Sequence, residues 1–206
     1  MEYQGPTPDD LANIKALNRL FLAAVSTSAS QRFGPVAASQ LTELQQARLA
    51  DVPFLLFSFR EYDTEFWQRI LSDESQIDLI DSGHPPGQEI RQLQAAGLAF
   101  LWQLVQRNPY AARLVSAAPV SWCERLSDLT LVGLLRRAAM RGDLLQLRFR
   151  DEEAIWRRLL GNGISPTRQA RLTSHHSALQ AMLTSEPELA YNRVPAAACR
   201  IRETKV

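Results

Sequence analysis

The stretch from Gln88 to Arg107, QEIRQLQAAGLAFLWQLVQR, decides the fold of this chain. On a helix drawn through it, apolar side chains such as Leu93 and Phe100 point in nearly every direction. A helix that is apolar on most of its faces lies inside a protein, because such a surface is stable only away from water. We therefore predict a central core helix over residues 88–107.

The composition of the whole chain extends this prediction. Of the 206 residues, 30 are Leu and 26 are Ala, whereas only nine are Gly. Leu and Ala favour helices, and 46% hydrophobic with 22% charged residues is usual for a globular protein. We predict a mainly α protein, with one compact domain of about seven or eight helices over residues 1–186. A loosely ordered basic tail is expected over residues 187–206.

Local signals in the sequence mark the helix starts and two short segments that are candidates for strands. A capping residue followed by proline, as in Asn108-Pro109, is typical of a helix start, because the side chain binds free backbone N–H groups. The runs FLLFSF at 54–59 and LLQLRF at 144–149 are too short for periodicity to separate strand from helix. They are candidates for two short strands that pair with each other. No internal repeat is expected from the sequence.

The cysteines and the apolar content indicate the compartment. Cys123 and Cys199 are far apart, which is typical of reduced thiols in a cytoplasmic protein rather than of a metal site. The N-terminal residues lack the basic and apolar regions of a signal peptide. The longest apolar stretch, 93–105, is shorter than a membrane span and contains two glutamines. We predict a cytoplasmic protein that does not enter a membrane.

The net charge of +1 conceals an asymmetry between the two halves. Residues 1–103 carry 7 basic and 13 acidic side chains, and residues 104–206 carry 16 basic and 9 acidic ones, giving net charges of −6 and +7. All but two of the 23 basic residues are arginine, whose planar guanidinium binds carboxylates and phosphates. We expect a helical interaction or regulatory protein that binds a protein partner or a second copy of itself through charged surfaces.

The arginines of the second half form the candidate partner surface. They fall on predicted helices, with Arg148 and Arg150 between them, and the candidates are Arg136, Arg137, Arg141, Arg157, Arg158, Arg168 and Arg171. The turn 161–166 separates two predicted helices, as in a helix-turn-helix motif, although it is longer than the three or four residues of that motif. A nucleic-acid-binding regulator that uses these arginine-rich helices is therefore the alternative function.

Acidic residues before the central helix suggest a second alternative. Asp78, Asp81 and His84 recur at intervals of three, a spacing that suits a divalent metal ion in a metal-dependent enzyme. The same residues also suit a solvated acidic loop. Motifs for a nucleophilic serine, a phosphate-binding glycine loop or a dinucleotide are absent from the sequence. We therefore expect no cofactor and favour a non-enzymatic function.

Two adjacent histidines, His175 and His176, lie within the last predicted helix. Neighbouring positions on an α-helix point about 100° apart, so both rings cannot bind one metal ion. We expect one imidazole to lie beside the core and the other to be exposed.

Overall fold

The computed structural model describes residues 5–27, 40–71, 87–140 and 144–184. These residues form nine α-helices and one antiparallel pair of very short strands, which confirms the predicted mainly α fold and both candidate strands. The strands are β1 (Phe57–Ser58) and β2 (Gln146–Leu147), and a 3-10 turn covers Asn162–Ile164. The helices are α1 (Pro8–Thr27), α2 (Glu43–Leu49), α3 (Thr64–Leu71), α4 (Gln88–Arg107), α5 (Pro109–Ser116), α6 (Val120–Ser127), α7 (Leu131–Met140), α8 (Glu153–Gly161) and α9 (Arg168–Thr184).

Side-chain caps fix where several helices begin. At the start of α1, Thr7 and Asp10 bind each other's backbone N–H groups, at 2.8 Å to the carboxylate and 3.2 Å to the hydroxyl. Asn108 accepts from a backbone N–H of α5 at 3.0 Å, and Asp63 does the same for α3 at 3.0 Å. Each cap gives a partner to an N–H group that the helix itself leaves unpaired, so these helix starts are set by local sequence.

Helix α4 lies at the centre, as its sequence predicts. It packs against α1, α5, α6 and α7, and its buried side chains include Leu93, Leu98 and Leu101. Gly97 permits close packing at its middle, because a Cβ atom there would lie only 2.8 Å from Cζ of the buried Phe59. One hydrophobic cluster contains residues from both halves of the described chain.

A buried asparagine attaches α1 to the segment that leads into β1. The Asn18 side chain donates to the carbonyl of Phe54 at 2.9 Å and to that of Ala50 at 3.4 Å. Its carbonyl oxygen accepts from the backbone N–H of Leu56 at 2.9 Å. The amide is completely buried, so these hydrogen bonds replace the water that it loses on folding.

The structure reveals an internal repeat, so the expectation of none is wrong. Residues 55–71 and 144–160 each form a short strand, a turn and a helix, with every position offset by 89 residues. In both units the strand follows a shorter helix, α2 or α7, and a 20-residue helix, α1 or α4, lies further upstream. The identical residues are Leu55, Leu56, Trp67, Arg69 and Leu71, which recur as Leu144, Leu145, Trp156, Arg158 and Leu160.

The two units also repeat a hydrogen bond inside the turn. The indole N–H of Trp67 donates to the carbonyl of Phe59 at 2.9 Å, and the indole N–H of Trp156 donates to that of Arg148 at 2.6 Å. Both bonds reach back eight residues, from the following helix to the end of the strand. Each buried tryptophan therefore fixes the turn that precedes its own helix.

Strand pairing relates the units by a local two-fold axis. Phe57 pairs with Leu147, and Ser58 pairs with Gln146. Since Ser58 is equivalent to Leu147 and Phe57 to Gln146, exchanging the two units leaves the pattern of pairs unchanged. An approximate dyad consequently passes between β1 and β2.

Candidate functional site

The turns that follow the two strands line a hollow beside this dyad. Its volume is about 440 Å³, and equivalent positions of both units contribute to its wall. The five equivalent pairs are Ser58 with Leu147, Arg60 with Phe149, Glu61 with Arg150, Tyr62 with Asp151, and Asp63 with Glu152. The side chains differ within every pair, so the hollow is symmetric in its backbone and asymmetric in its chemistry.

A second, smaller hollow of about 240 Å³ lies between α5 and the end of α9. Ala117 and Met182 line both hollows, so the two form one continuous surface. We call this surface the dyad groove: the turns 58–63 and 146–152 form one end, and Tyr110, Leu114 and Leu183 belong to the other.

Large apolar side chains remain exposed along the dyad groove. Tyr62 is 40% exposed, Tyr110 is 56% exposed and Leu183 is 40% exposed. The hydroxyl of Tyr62 donates to the carbonyl of Ala117, so its ring is held beside the junction of the two hollows. Exposed tyrosines in a concave, partly apolar surface are typical of protein interfaces, since they bury a large area with little loss of side-chain freedom.

A buried arginine holds the floor of the groove. The guanidinium of Arg148 donates to the carbonyls of Leu55 and Phe57 at 2.7 Å each and to that of Ser116 at 2.6 Å. It also pairs with the carboxylate of Glu61 at 3.2 Å. Arg148 and Glu61 are only 6% and 4% exposed, so Arg148 does not belong to the exposed arginines of the second half. One side chain thereby joins both turns and the end of α5.

Backbone strain is concentrated at the same place. Within the described ranges the non-glycine residues with positive φ are Arg60 at 57°, Ala117 at 53° and Phe149 at 57°, and all three line the dyad groove. Ala117 ends α5 in the left-handed conformation, whereas the other two occupy equivalent positions after the strands. Such residues cost energy and persist where the surrounding contacts hold them, which is often at functional sites.

The candidate arginines of α7 lie away from the groove. Arg136 is exposed, and Arg137 donates to the carbonyl of Leu71 at 2.6 Å, which attaches α7 to the end of α3. Arg141 lies outside the described residues. One of the two described arginines on this helix therefore has a structural partner.

The arginines of α8 and α9 make contacts within those two helices. Arg157 pairs with Glu153 at 2.8 Å, four residues earlier on the exposed face of α8. Arg158 donates to the hydroxyl of Ser177 on α9, and Arg171 donates to carbonyls just before α9 at 2.8 and 2.9 Å. Arg168 is exposed. The described candidates thus lie on two separate groups of helices, α7 against α3 and α4, and α8 against α9.

The connection between α8 and α9 contains a 3-10 turn and three further residues before Arg168, so it is longer than a helix-turn-helix connection.

The two adjacent histidines on α9 differ in exposure. His175 is buried against the 3-10 turn, with Nε2 3.2 Å from the carbonyl oxygen of Gly163, whereas His176 is exposed. Burial lowers the pKa of the His175 imidazole. The expectation of one histidine beside the core and one exposed is confirmed.

The predicted metal ligands Asp78, Asp81 and His84 lie outside the described residues, so that site stays a prediction. Among the residues that the structure describes, no group of three or more His, Cys, Asp or Glu side chains is placed to hold a metal ion. Cys123 is buried, and burial raises the pKa of its thiol to about 11.

Comparison with known proteins gives no relative: no family model, curated protein or solved structure matches this chain. In the described part of the chain, no helix combines the length and the apolar character needed to cross a membrane. The dyad groove was not predicted from the sequence. The available signal was the recurrence of a Leu-Leu pair and a tryptophan twelve residues after its first leucine, at 55–67 and 144–156.

Proposed function

We propose that this protein is a protein-interaction module, and that it binds a segment of a partner protein in the dyad groove. The observation that carries the proposal is the convergence of three features at one surface: exposed tyrosines, left-handed backbone and a buried arginine floor. Charged side chains on both turns, including Arg60, Arg150 and Asp151, supply a polar rim to this partly apolar surface.

The floor supports binding because it keeps the groove in one shape. Arg148 binds four residues, which lie in β1 and just before it, in the turn after it and at the end of α5, and Trp67 and Trp156 fix the two turns. A surface that is rigid before binding loses less conformational entropy when a partner arrives. The polar groups at the floor are already paired with one another, which suits recognition of a surface better than proton transfer.

We infer a cytoplasmic location from the cysteines. Cys123 is buried as a free thiol, and Cys199 is the other cysteine of the sequence. Two cysteines that are distant in sequence, one of them a buried free thiol, are usual for a protein kept in a reducing compartment.

Photo-cross-linking in the source cells tests the proposal. A benzoylphenylalanine residue at position 110, in the groove, is expected to form an adduct with a partner protein. The same residue at position 132 is the matched control, because Val132 is 77% exposed on α7 and does not line the groove. Equal adducts at both positions, or an adduct at position 132 alone, would contradict the proposal.

The identified partner is then purified and titrated against variants. Tyr110→Ala and Tyr62→Ala are each expected to weaken its binding about tenfold or more, since truncating an interface tyrosine commonly costs more than about 1.4 kcal/mol. Val132→Ala is expected to leave the affinity unchanged. Affinities that stay equal in all three variants would show that the partner binds elsewhere.

A further inference from the structure

A separate concave surface lies between the end of α8 and the first three turns of α9. Its volume is about 530 Å³, within the range of about 300–1,000 Å³ that is usual for small-molecule sites. Arg158 and Asn162 form one wall, and six residues between Thr167 and Ser177 form the other. All of these described residues except Ala170 have polar side chains, and none of them lines the dyad groove. We call this surface the polar hollow.

The polar hollow lies in a positively charged part of the chain. Residues 153–184, which cover α8, the 3-10 turn and α9, contain four arginines and a single carboxylate. That carboxylate, Glu153, pairs with Arg157 at 2.8 Å. Asp51 follows α2, which packs against the 3-10 turn, and it pairs with Lys15. None of the described residues that line the hollow is acidic, so its surroundings favour a negatively charged ligand.

Arg158 brings a guanidinium to the polar hollow, and most of its donors are unused. It donates to the hydroxyl of Ser177 on α9 and forms no ion pair with a described carboxylate. The buried hydroxyl of Ser174 donates to the carbonyl oxygen of Arg158 at 3.2 Å, which holds α9 against the end of α8. A guanidinium positioned in this way can bind two oxygens of one phosphate group at once.

Four further polar side chains of the hollow have no hydrogen-bond partner in the described part of the chain. They belong to Asn162, Thr167, Gln169 and Thr173. Each carries an amide or a hydroxyl, which can both donate and accept a hydrogen bond. A ligand can therefore bind them without breaking a contact of the folded protein. Groups that donate and accept match the hydroxyls of a polyol, just as Arg158 matches an anion.

We propose that the polar hollow binds a small phosphate monoester that carries hydroxyl groups, such as a sugar phosphate. The phosphate lies beside Arg158 and Ser177, and the hydroxyl-bearing part reaches the amides of Asn162 and Gln169. A phosphate directs its oxygens to several sides, which suits donors from two helices, whereas a carboxylate directs two oxygens in one plane. A phosphate ion by itself is far smaller than the hollow, which leaves space for an organic part. This site is independent of the dyad groove and of its partner.

Nuclear magnetic resonance titration of the full chain, labelled with ¹⁵N, tests the proposal. The probes are glycerol 3-phosphate, ribose 5-phosphate and glucose 6-phosphate, and the controls are ribose and inorganic phosphate. At least one ester is expected to bind with a dissociation constant of about 1 mM or below, as is usual for ligands of this size. Both controls should bind at least about tenfold more weakly, because each offers only one of the two parts. The amide signals that change most should belong to residues 158–177.

Four results would overturn the proposal. The first is that no ester binds at concentrations up to about 10 mM. The second is that the signal changes centre on Tyr62 and Asp151, because the ester would then occupy the dyad groove. The third is that ribose or inorganic phosphate binds as tightly as the best ester. The fourth is that a phosphoserine peptide binds more tightly than every ester, which would assign the hollow to a phosphorylated protein.

Substitution of two adjacent arginines identifies the phosphate-binding group. Arg158→Gln is expected to weaken the binding of the best ester about tenfold or more, since hydrogen bonds between charged groups are the stronger ones. Arg157→Gln is the matched control, because it removes the same charge from a residue that pairs with Glu153 and does not line the hollow. Equal affinities of these two variants would overturn the assignment.

A second variant keeps the assignment testable if Arg158→Gln disturbs the fold. Thr173→Val preserves the shape of an exposed side chain and removes its hydroxyl, and it is expected to weaken the best ester about threefold. The spectrum of each variant shows directly whether the chain is folded. An unchanged affinity in a folded Thr173→Val variant would overturn the placement of the ligand in the polar hollow.

Discussion

The buried guanidinium of Arg148 provides the sharpest test of how the groove is held together. Arg148→Met keeps the length and most of the apolar volume of the side chain but removes every donor. Three carbonyl oxygens would lose a hydrogen bond, and the carboxylate of Glu61 would stay buried without its ion-pair partner.

The expected cost is a loss of about 4 kcal/mol in the free energy of unfolding. Each buried polar group that loses its partner costs about 1–3 kcal/mol, and removing one member of a buried ion pair costs about 3–5 kcal/mol. The sum of the separate values would overestimate the effect, because carbonyl oxygens can accept other hydrogen bonds and water can enter from the groove. A loss of about 4 kcal/mol lowers the folding equilibrium constant roughly a thousandfold.

Urea denaturation followed by tryptophan fluorescence measures this cost. Trp156 is a direct reporter, since its indole N–H donates to the carbonyl of Arg148. Arg150→Met is the matched control, because Arg150 is exposed two residues further on, and it is expected to change stability by no more than about 0.5 kcal/mol. Should Arg148→Met fail to fold, Arg148→Lys retains the charge and is expected to lose about half as much.

Two results would refute this reasoning. One is a cost for Arg148→Met below about 1 kcal/mol, or equal to that of Arg150→Met. The other concerns the double variant Arg148→Met with Glu61→Leu, which removes both charges and is expected to be more stable than Arg148→Met alone. If the double variant is less stable than the single one, the unpaired carboxylate is not the source of the cost.

Three further predictions concern other buried groups. Asn18→Ala removes the hydrogen bonds that attach α1 to the segment before β1, and it is expected to lower the free energy of unfolding in urea by about 2–4 kcal/mol. The control Asn13→Ala, on the exposed face of α1, should lower it by less than about 1 kcal/mol. Burial lowers the pKa of His175 below its unfolded value, so the unfolded state binds the proton more readily and stability should fall as the pH drops below about 6.5. His175→Gln should reduce this pH dependence of the melting temperature and His176→Gln should not, and equal profiles would contradict the assignment. Burial raises the pKa of the Cys123 thiol to about 11, so mass spectrometry should find this cysteine unmodified after iodoacetamide treatment of the native protein at pH 8 and modified in urea. Rapid modification of the native protein would show that the thiol is not buried.

Much of the fold is predictable from the sequence because its signals are local. The central helix follows from apolar residues on nearly every face between Gln88 and Arg107, and α5 begins where Asn108 caps its backbone. These signals need contacts only between residues a few positions apart. The short apolar runs marked two candidate strands that pair with each other, although the choice between strand and helix and the register of the pair required the structure.

The repeat was missed because equivalent positions carry different chemistry. Phe59 in the first unit corresponds to Arg148 in the second, so one packs in the aromatic core and the other binds backbone carbonyls. The similarity of the two turns lies instead in the backbone, where Arg60 and Phe149 both have a φ angle of 57°. When the residue types of the two segments are compared position by position, this similarity of the backbone does not contribute, and the two segments look unrelated at most positions.

The sequence by itself determined the helical class and the central helix, located two candidate strands and indicated that one of the two adjacent histidines is exposed, because periodicity and caps act within a few residues. Only the tertiary structure decided that Arg148 is buried, that two turns meet at a dyad and that tyrosines rim a groove there. The hydrogen bonds of the Arg148 guanidinium join residues 32 to 93 positions apart. Contacts of that range depend on how the helices pack, and charge patterns along the chain do not contain this information.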